Sequence, residues 1–207
     1  MSSRQVILGQ IRDALKLAPP VRRETPREYR TGRSMASKEL EELLTDRLLD
    51  YKATVHPCAA ADVPGTVARV LHGAGVTCVG VPPGLDDSWL SEFDGDVVID
   101  SPDVPATQLD SLDGVVTGSR VTCAETGTIF LDGSPDQGRR ALTLVPDLHV
   151  CVVDLSTVEV GVPEAMSLLV PERPTTLISG PSATSDIELQ RVEGVHGPRN
   201  LHVVIAH

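Results

Sequence analysis

The fold class is decided by Ala53-Thr54-Val55-His56 and Val76-Thr77-Cys78-Val79-Gly80-Val81, two β-branched runs separated by a helical pattern over residues 62–72. A strand, a helix and a second strand in this order are typical of a βαβ unit, in which both strands run parallel. Strand-like runs follow at residues 97–100 and 114–117. The sequence therefore predicts an α/β fold with an open, mostly parallel sheet flanked by helices.

The second half of the chain adds to this sheet. Residues 126–131 and 140–145 are β-rich runs joined by a polar, glycine-containing loop, which predicts an antiparallel hairpin inserted into the otherwise parallel sheet. Residues 150–153 supply another strand. The last strand, residues 201–206, is almost wholly apolar, so we expect it inside the sheet rather than at an edge.

The N-terminal part has a different character. Residues 4–18 place their apolar side chains on one helical face, and two prolines end that helix. The chain up to residue 34 is rich in arginine and poor in apolar residues, and a second helix is predicted over residues 37–51 with Ser37 as its cap. We therefore expect residues 1–34 to form an N-terminal helix with an exposed linker, and residues 35–207 to form the α/β domain.

Composition excludes several classes of partner. The formal net charge of −11 repels phosphate backbones and anionic lipids, which disfavours nucleic acid and membrane surfaces as partners. The apolar runs are too short to span a bilayer, and the N-terminus lacks the hydrophobic core of a signal peptide, so a cytoplasmic location is expected. The four cysteines form no Cys-x-x-Cys pair, which predicts that this chain binds no metal and no iron–sulfur cluster.

A first candidate site lies in Gly180-Pro181-Ser182-Ala183-Thr184-Ser185-Asp186-Ile187-Glu188, which follows a strand-like run at residues 175–179. Ser185 and Glu188 have the spacing of a capping box, so a helix is expected to begin there, and a helix start after a strand often binds an anion. Alternatively, Asp186 and Glu188 already satisfy the positive helix end. The candidate ligand-binding residues in this loop are Gly180, Ser182, Thr184, Ser185 and Asp186. His196, between two glycines of the following loop, is the candidate acid, base or anion contact.

A second candidate site is Glu125 with its neighbours Thr126 and Gly127. A carboxylate in this polar, small-residue context can act as a general base or as a covalent nucleophile. Alternatively, Glu125 forms only local contacts while Gly127 permits a bulge. Cys123 is a poorer nucleophile, because a nearby carboxylate raises the pKa of a thiol.

The adjacent arginines Arg139 and Arg140 follow the predicted hairpin loop. They are suited to an acidic partner or a carboxylate substrate, although arginines in such places are often solvated strand ends.

Four segments in this order carry a family resemblance: residues 124–128, 145–149, 180–188 and 194–199. Together they resemble the lactate utilization protein C family. The LUD domain of that family is similar in fold to the NagB/RpiA/CoA-transferase group, which implies the same open α/β sheet. The resemblance also implies a part in the oxidation of L-lactate to pyruvate, together with two partner proteins that carry iron–sulfur motifs.

The oxidation of lactate requires an electron acceptor, and protein side chains alone supply none. Because the sequence contains no recognisable cluster, flavin or nicotinamide motif, we expect no cofactor on this chain and iron–sulfur clusters on partner subunits. The expected function is that of a non-redox, accessory subunit of an L-lactate oxidation complex. Two alternatives stay open: a free-standing CoA-transferase-like or isomerase-like enzyme that uses Glu125, and a protein that binds a small carboxylate without turnover.

Overall fold

The computed structural model describes residues 2–18, 24–184, 192–193 and 197–207. The helices are α1 (Ser3–Leu17), α2 (Ser37–Asp50), α3 (Val63–Gly73), α4 (Ala106–Leu109), α5 (Arg140–Leu144) and α6 (Val162–Ser167), and short 3-10 turns occupy Ala60–Asp62, Asp87–Leu90 and Leu155–Thr157. The strands are β1 (Thr54–Cys58), β2 (Cys78–Val81), β3 (Asp96–Ile99), β4 (Gly114–Thr117), β5 (Val121–Cys123), β6 (Thr128–Leu131), β7 (Leu148–Asp154), β8 (Val158–Glu159), β9 (Thr176–Ile178), β10 (Ala183–Thr184), β11 (Val192–Glu193) and β12 (Asn200–Ala206).

The main sheet has six strands in the order β1-β12-β7-β4-β2-β3. All of its neighbouring pairs are parallel. The C-terminal strand β12 lies between β1 and β7, and most of its side chains are buried. The predictions of a mostly parallel sheet and of an internal last strand are therefore confirmed.

Both faces of the main sheet are covered. On one face, Val67 and Leu71 of α3 pack against valines of β2, β7 and β12. On the other face, Leu44 and Leu48 of α2 are fully buried against β7 and β12. Ile129 of β6 joins this second cluster, so α2 and a smaller sheet together cover that face. Ser37 is the first residue of α2 and does not cap it: the N-cap is Ala36, which has no side-chain hydrogen bond.

The smaller sheet has the strand order β8-β5-β6-β9. The antiparallel hairpin of the fold is β5 with β6, and β9 pairs antiparallel with the other edge of β6. The prediction that residues 140–145 form the second strand of the hairpin was wrong, because Arg140–Leu144 is the helix α5. Its Leu142 is fully buried against Leu109 and Val115, so tertiary packing outweighs the β-rich composition of this segment.

The segment after β9 also differs in part from expectation. β9 belongs to the antiparallel sheet, so the Gly180–Ser182 loop does not follow a strand of the parallel sheet. Beyond that loop, β10 and β11 form a two-stranded antiparallel ribbon. The helix expected to start at Ser185 lies outside the described residues.

The N-terminal segments contain the expected helix and an extended stretch. The predicted helix over residues 4–18 is α1, which has no buried residue and begins with a capping box between Ser2 and Gln5. Residues 24–36 are exposed and irregular. Within this stretch, the Gly32 amide donates to Glu164 Oε1 at 2.9 Å, which attaches it to α6. No described helix has the length and apolar character needed to cross a membrane.

Candidate functional site

A cavity of about 310 Å³ lies among α5, β9 and the amino ends of β7 and β12. Its wall is formed in part by the Gly180–Ser182 loop and by Gly197 and Pro198, which precede β12. The polar side chains that line it include Arg140, His149, Thr176 and Ser179. Open α/β sheets commonly bind ligands at the carboxyl ends of their strands, whereas this cavity lies where β7 and β12 begin.

His149 is the most deeply buried polar group of the cavity wall. Its side chain is fully buried, and its Nε2 lies 2.8 Å from Thr117 Oγ1. Its Nδ1 has no hydrogen-bond partner in the described part of the chain. Burial lowers the pKa of His149 to about 4, so the imidazole is neutral at pH 7.

A short chain of polar groups continues behind His149. Thr117 Oγ1 lies 3.9 Å from Cys151 Sγ as a donor, and the Cys151 thiol in turn lies 3.6 Å from the Gly118 carbonyl oxygen. Burial raises the pKa of Cys151 to about 12, so this group is a thiol at pH 7. The ring orientation of His149 is thereby tied to β4 and to its own strand.

Arg140, the first residue of α5, carries a guanidinium without a carboxylate partner among the described residues. Its Nη1 donates to Thr176 Oγ1 at 3.0 Å. The preceding Arg139 differs, because its Nε and Nη2 both donate to the buried Asp100 at distances of 2.9 to 3.2 Å. The adjacent arginines thus have separate roles. Arg139 forms a structural ion pair with the buried Asp100, and the positive charge of Arg140 lies at the cavity.

A second cavity of about 480 Å³ adjoins the first at the carboxyl ends of β2 and β3. Arg140 and Thr176 line both cavities. The neighbouring space beyond β2 and β4 is filled by the chain itself, since the Gly84 amide donates to Pro135 O and the Gly118 amide donates to Asp136 O, both at 2.9 Å. The position at which open α/β sheets often bind ligands is therefore occupied by the loop of residues 132–138.

Glu125 does not line either of these cavities. It lies in a separate surface depression with Arg47, Tyr51 and Thr126. Its carboxylate accepts two hydrogen bonds from Arg33, at 2.5 and 3.2 Å, and the Arg33 hydrogen bond lowers the pKa of Glu125. Arg33 is 92 positions away in the sequence, so this ion pair is a long-range contact. A ligand-facing role of Glu125 stays a prediction.

The Glu125 and Gly180 segments are nevertheless joined by hydroxyl groups. Thr126 Oγ1 donates to Thr128 Oγ1 at 2.9 Å, and Thr128 Oγ1 lies 2.8 Å from Ser179 Oγ in the first cavity. The glycines next to these residues permit close approaches: Gly180 has φ +86°, and a side chain there would overlap the Tyr51 carbonyl. At Gly127, with φ +59°, an added side chain would lie 2.9 Å from the nearest atom of Arg47, a less severe overlap than at Gly180.

A profile of the LUD domain family matches residues 42–206. The lactate utilization protein C of Deinococcus radiodurans is 47% identical over 182 residues, which cover 86% of this chain and 84% of that protein. The chain belongs to the lactate utilization protein C family. A second family member, from Anoxybacillus flavithermus, is 27% identical over 79% of this chain and 78% of its own length.

A solved structure supports the same assignment for this LUD domain. The crystal structure of a DUF162 family protein from Deinococcus radiodurans aligns with a TM-score of 0.73 and 38% identity, and the alignment covers 84% of this chain and all of that chain. The α/β fold class and the family resemblance predicted from the sequence are therefore confirmed.

The LUD domain places the predicted site residues in three groups. Gly180 and Ser182 line the first cavity, where the Ser182 amide donates to Pro198 O at 2.8 Å. Glu125 and Thr126 lie in the surface depression described above. Three candidates, Ser185, Asp186 and His196, lie outside the described residues, and Thr184 is described only through its backbone in β10.

Sequence reasoning missed His149 as a cavity residue and did not separate Arg140 from Arg139. The sequence does contain one indication of His149, because an imidazole stands inside an otherwise apolar strand. Burial of a polar side chain is costly unless it forms a hydrogen bond, so a histidine at such a position calls for a specific partner. Cys123, by contrast, is buried and lies within 3.8 Å of the Val160 carbonyl oxygen. In the described part of the chain, no three His, Cys, Asp or Glu side chains converge as a metal site requires.

Proposed function

We propose that this LUD-domain protein is a non-redox component of a system that oxidises L-lactate to pyruvate, and that iron–sulfur clusters on partner subunits accept the electrons. The observation that carries the proposal is the 47% identity to a lactate utilization protein C over most of both chains. Membership of this family supports a role in lactate utilization. The division of labour between subunits is the part that we propose.

The distribution of cysteines supports the assignment of the redox chemistry to other subunits. The four cysteines lie on four different strands, Cys58 on β1, Cys78 on β2, Cys123 on β5 and Cys151 on β7. A cluster site needs thiolates that converge on one point, and two of these thiols are buried in separate parts of the core. Their arrangement is that of packing residues.

The electrostatic properties support a protein or a small molecule as the partner. A net charge of −11 disfavours binding to nucleic acid and to anionic membranes, so we propose a cytoplasmic protein that associates with the iron–sulfur subunits. A small carboxylate is the ligand class that fits the cationic Arg140 at the cavity.

A deletion experiment in the organism that encodes the protein tests this role. Removal of the gene should abolish growth on L-lactate as the sole carbon source and leave growth on pyruvate unchanged. A plasmid copy should restore growth, and so should the variant Lys38→Ala, whose exposed side chain lies on α2 away from the cavity. Undiminished growth of the deletion strain on L-lactate would contradict the proposal, and so would an equal loss of growth on pyruvate.

A further inference from the structure

We infer that the cavity lined by Arg140, His149, Thr176 and Ser179 binds a small 2-hydroxymonocarboxylate, with the carboxylate on Arg140 and the 2-hydroxyl on His149. The choice of a hydroxy acid with a small alkyl group agrees with, and in part rests on, the proposed function. The assignment of the two contacts rests on the hydrogen-bond partners of Arg140 and His149, which both line the cavity.

The carboxylate subsite follows from the state of Arg140. In a strongly acidic chain, the neighbouring arginines already have carboxylate partners: Arg139 pairs with Asp100, and Arg173 pairs with Asp132. Arg140 uses one nitrogen on a neutral hydroxyl and forms no ion pair within the described residues. Within the described part of the chain, the other N–H donors of this planar guanidinium are available, and their arrangement matches the two oxygens of a carboxylate.

The hydroxyl subsite follows from the hydrogen bonds of His149. When Nε2 carries the proton, each group in the chain of contacts donates one hydrogen bond to the next. Nε2–H donates to Thr117 Oγ1, the Thr117 hydroxyl donates to Cys151 Sγ, and the thiol donates to the Gly118 carbonyl. In this tautomer the unpartnered Nδ1 is a lone-pair acceptor. A buried acceptor without a donor is costly, and the hydroxyl of a bound hydroxy acid supplies that donor.

The remaining wall fits a small aliphatic substituent. Leu201 is the register partner of His149 across β12 and β7, and it lines the cavity together with Leu144. The volume of about 310 Å³ lies at the lower end of the range for small-molecule sites, which suits a three- to five-carbon acid with water.

Calorimetric titration of the isolated chain tests the inference with three probes of similar size: L-lactate, pyruvate and propionate. L-lactate should bind at least about tenfold more tightly than either of the others, because propionate has no hydroxyl donor and the keto oxygen of pyruvate only accepts. Equal affinities for the three acids, or no binding of L-lactate, would overturn the inference.

Two further measurements assign the contacts. Arg140→Ala should weaken L-lactate binding by at least about tenfold, whereas the matched control Arg12→Ala, on the exposed helix α1, should leave it unchanged. In the unaltered chain, nitrogen NMR of His149 should show a protonated Nε2 and an unprotonated Nδ1, and the Nδ1 resonance should shift on addition of L-lactate. A protonated Nδ1, or a resonance that does not respond, would overturn the hydroxyl assignment even if a His149 variant failed to fold.

The outcome separates this inference from the proposed function. Growth on L-lactate that depends on the gene, combined with no lactate binding by the isolated chain, would refute the cavity assignment alone. Binding with the expected selectivity, combined with normal growth of the deletion strain, would refute the proposed role alone.

Discussion

The buried His149 makes the stability of the protein depend on pH below neutrality. In the folded chain burial lowers the pKa of His149 to about 4, whereas an unfolded chain leaves a histidine near 6.5. Between these two values the unfolded state binds a proton that the folded state does not. Stability is therefore lost as the pH falls through this window and is fully present above it.

The size of the effect follows from the difference between the two pKa values. A difference of about 2.5 units corresponds to a maximum loss of about 3 kcal/mol at pH values below both. Between pH 7 and pH 5 the same relation gives a loss of about 2 kcal/mol from this one side chain. This is a large fraction of the free energy of unfolding of a typical domain, and it is measurable by denaturant titration.

The assay compares the native sequence with His149→Gln, which cannot titrate in this range. Urea unfolding followed by the fluorescence of Trp89, which packs against the main core, gives the free energy of unfolding at pH 7 and at pH 5. The half-buried His56 and His202 also have lowered pKa values through burial, so both proteins are expected to lose stability on acidification. The native sequence should lose about 2 kcal/mol more than His149→Gln.

A control variant removes an exposed histidine instead. His72→Gln alters a ring on the surface that contacts Asp94, and it should retain most of the native pH dependence. If His149→Gln and the native sequence lost the same free energy between pH 7 and pH 5, the reasoning from burial to proton linkage at His149 would be refuted.

Two further changes test how the segments around the cavities are held. Gly180→Ala should destabilise the fold by about 2 kcal/mol or more in urea unfolding, because φ is +86° and the added carbon would overlap the Tyr51 carbonyl. Gly9→Ala is the control, because an added side chain at this position of the exposed helix α1 meets open space. This change should be neutral or slightly stabilising. Equal losses of stability in the two variants would contradict the explanation from the backbone conformation of Gly180. Arg139→Ala should lower the Tm, because it leaves the buried carboxylate of Asp100 without its partner. The double variant Arg139→Ala with Asp100→Ala should recover part of the lost Tm. If the double variant recovered nothing, the loss of the ion pair would not be the cause.

The sequence predicted most reliably those elements whose local pattern agrees with their burial. The strand at residues 114–117 is wholly buried in the middle of the parallel sheet and was found within its predicted bounds. The C-terminal strand was expected inside the sheet because it is apolar on both faces, and it lies there. In both cases composition alone carries the information, since a strand covered on two faces has no polar side to present.

The incorrect prediction at residues 140–145 has a tertiary cause. The segment is rich in residues that favour strands, but β9, more than thirty residues later, takes the edge of β6 that was assigned to it. Leu142 is then buried most fully as part of a short helix, in a cluster with Leu109 and Leu112. Local propensity cannot show which of two distant segments will occupy a sheet edge.

The sequence identified one segment of the candidate site but not the contacts between segments that are distant in the chain. The Gly180–Ser182 loop was identified from its small residues, and it does line a cavity. The partners that define the chemistry are remote in sequence: Thr117 meets His149 across 32 residues, and Arg33 meets Glu125 across 92 residues. A single sequence contains no local signal for such pairs.

The most direct test of the central claim is a reconstitution with purified components. L-lactate-dependent reduction of an artificial electron acceptor is measured for this chain alone, for the iron–sulfur lactate utilization proteins of the same organism alone, and for all of them together, with iron and flavin content determined for each preparation. We expect no turnover and no stoichiometric iron or flavin for the isolated chain, and the highest turnover for the complete mixture. Lactate oxidation by the isolated chain, or a mixture whose rate does not change when this chain is left out, would contradict the central claim.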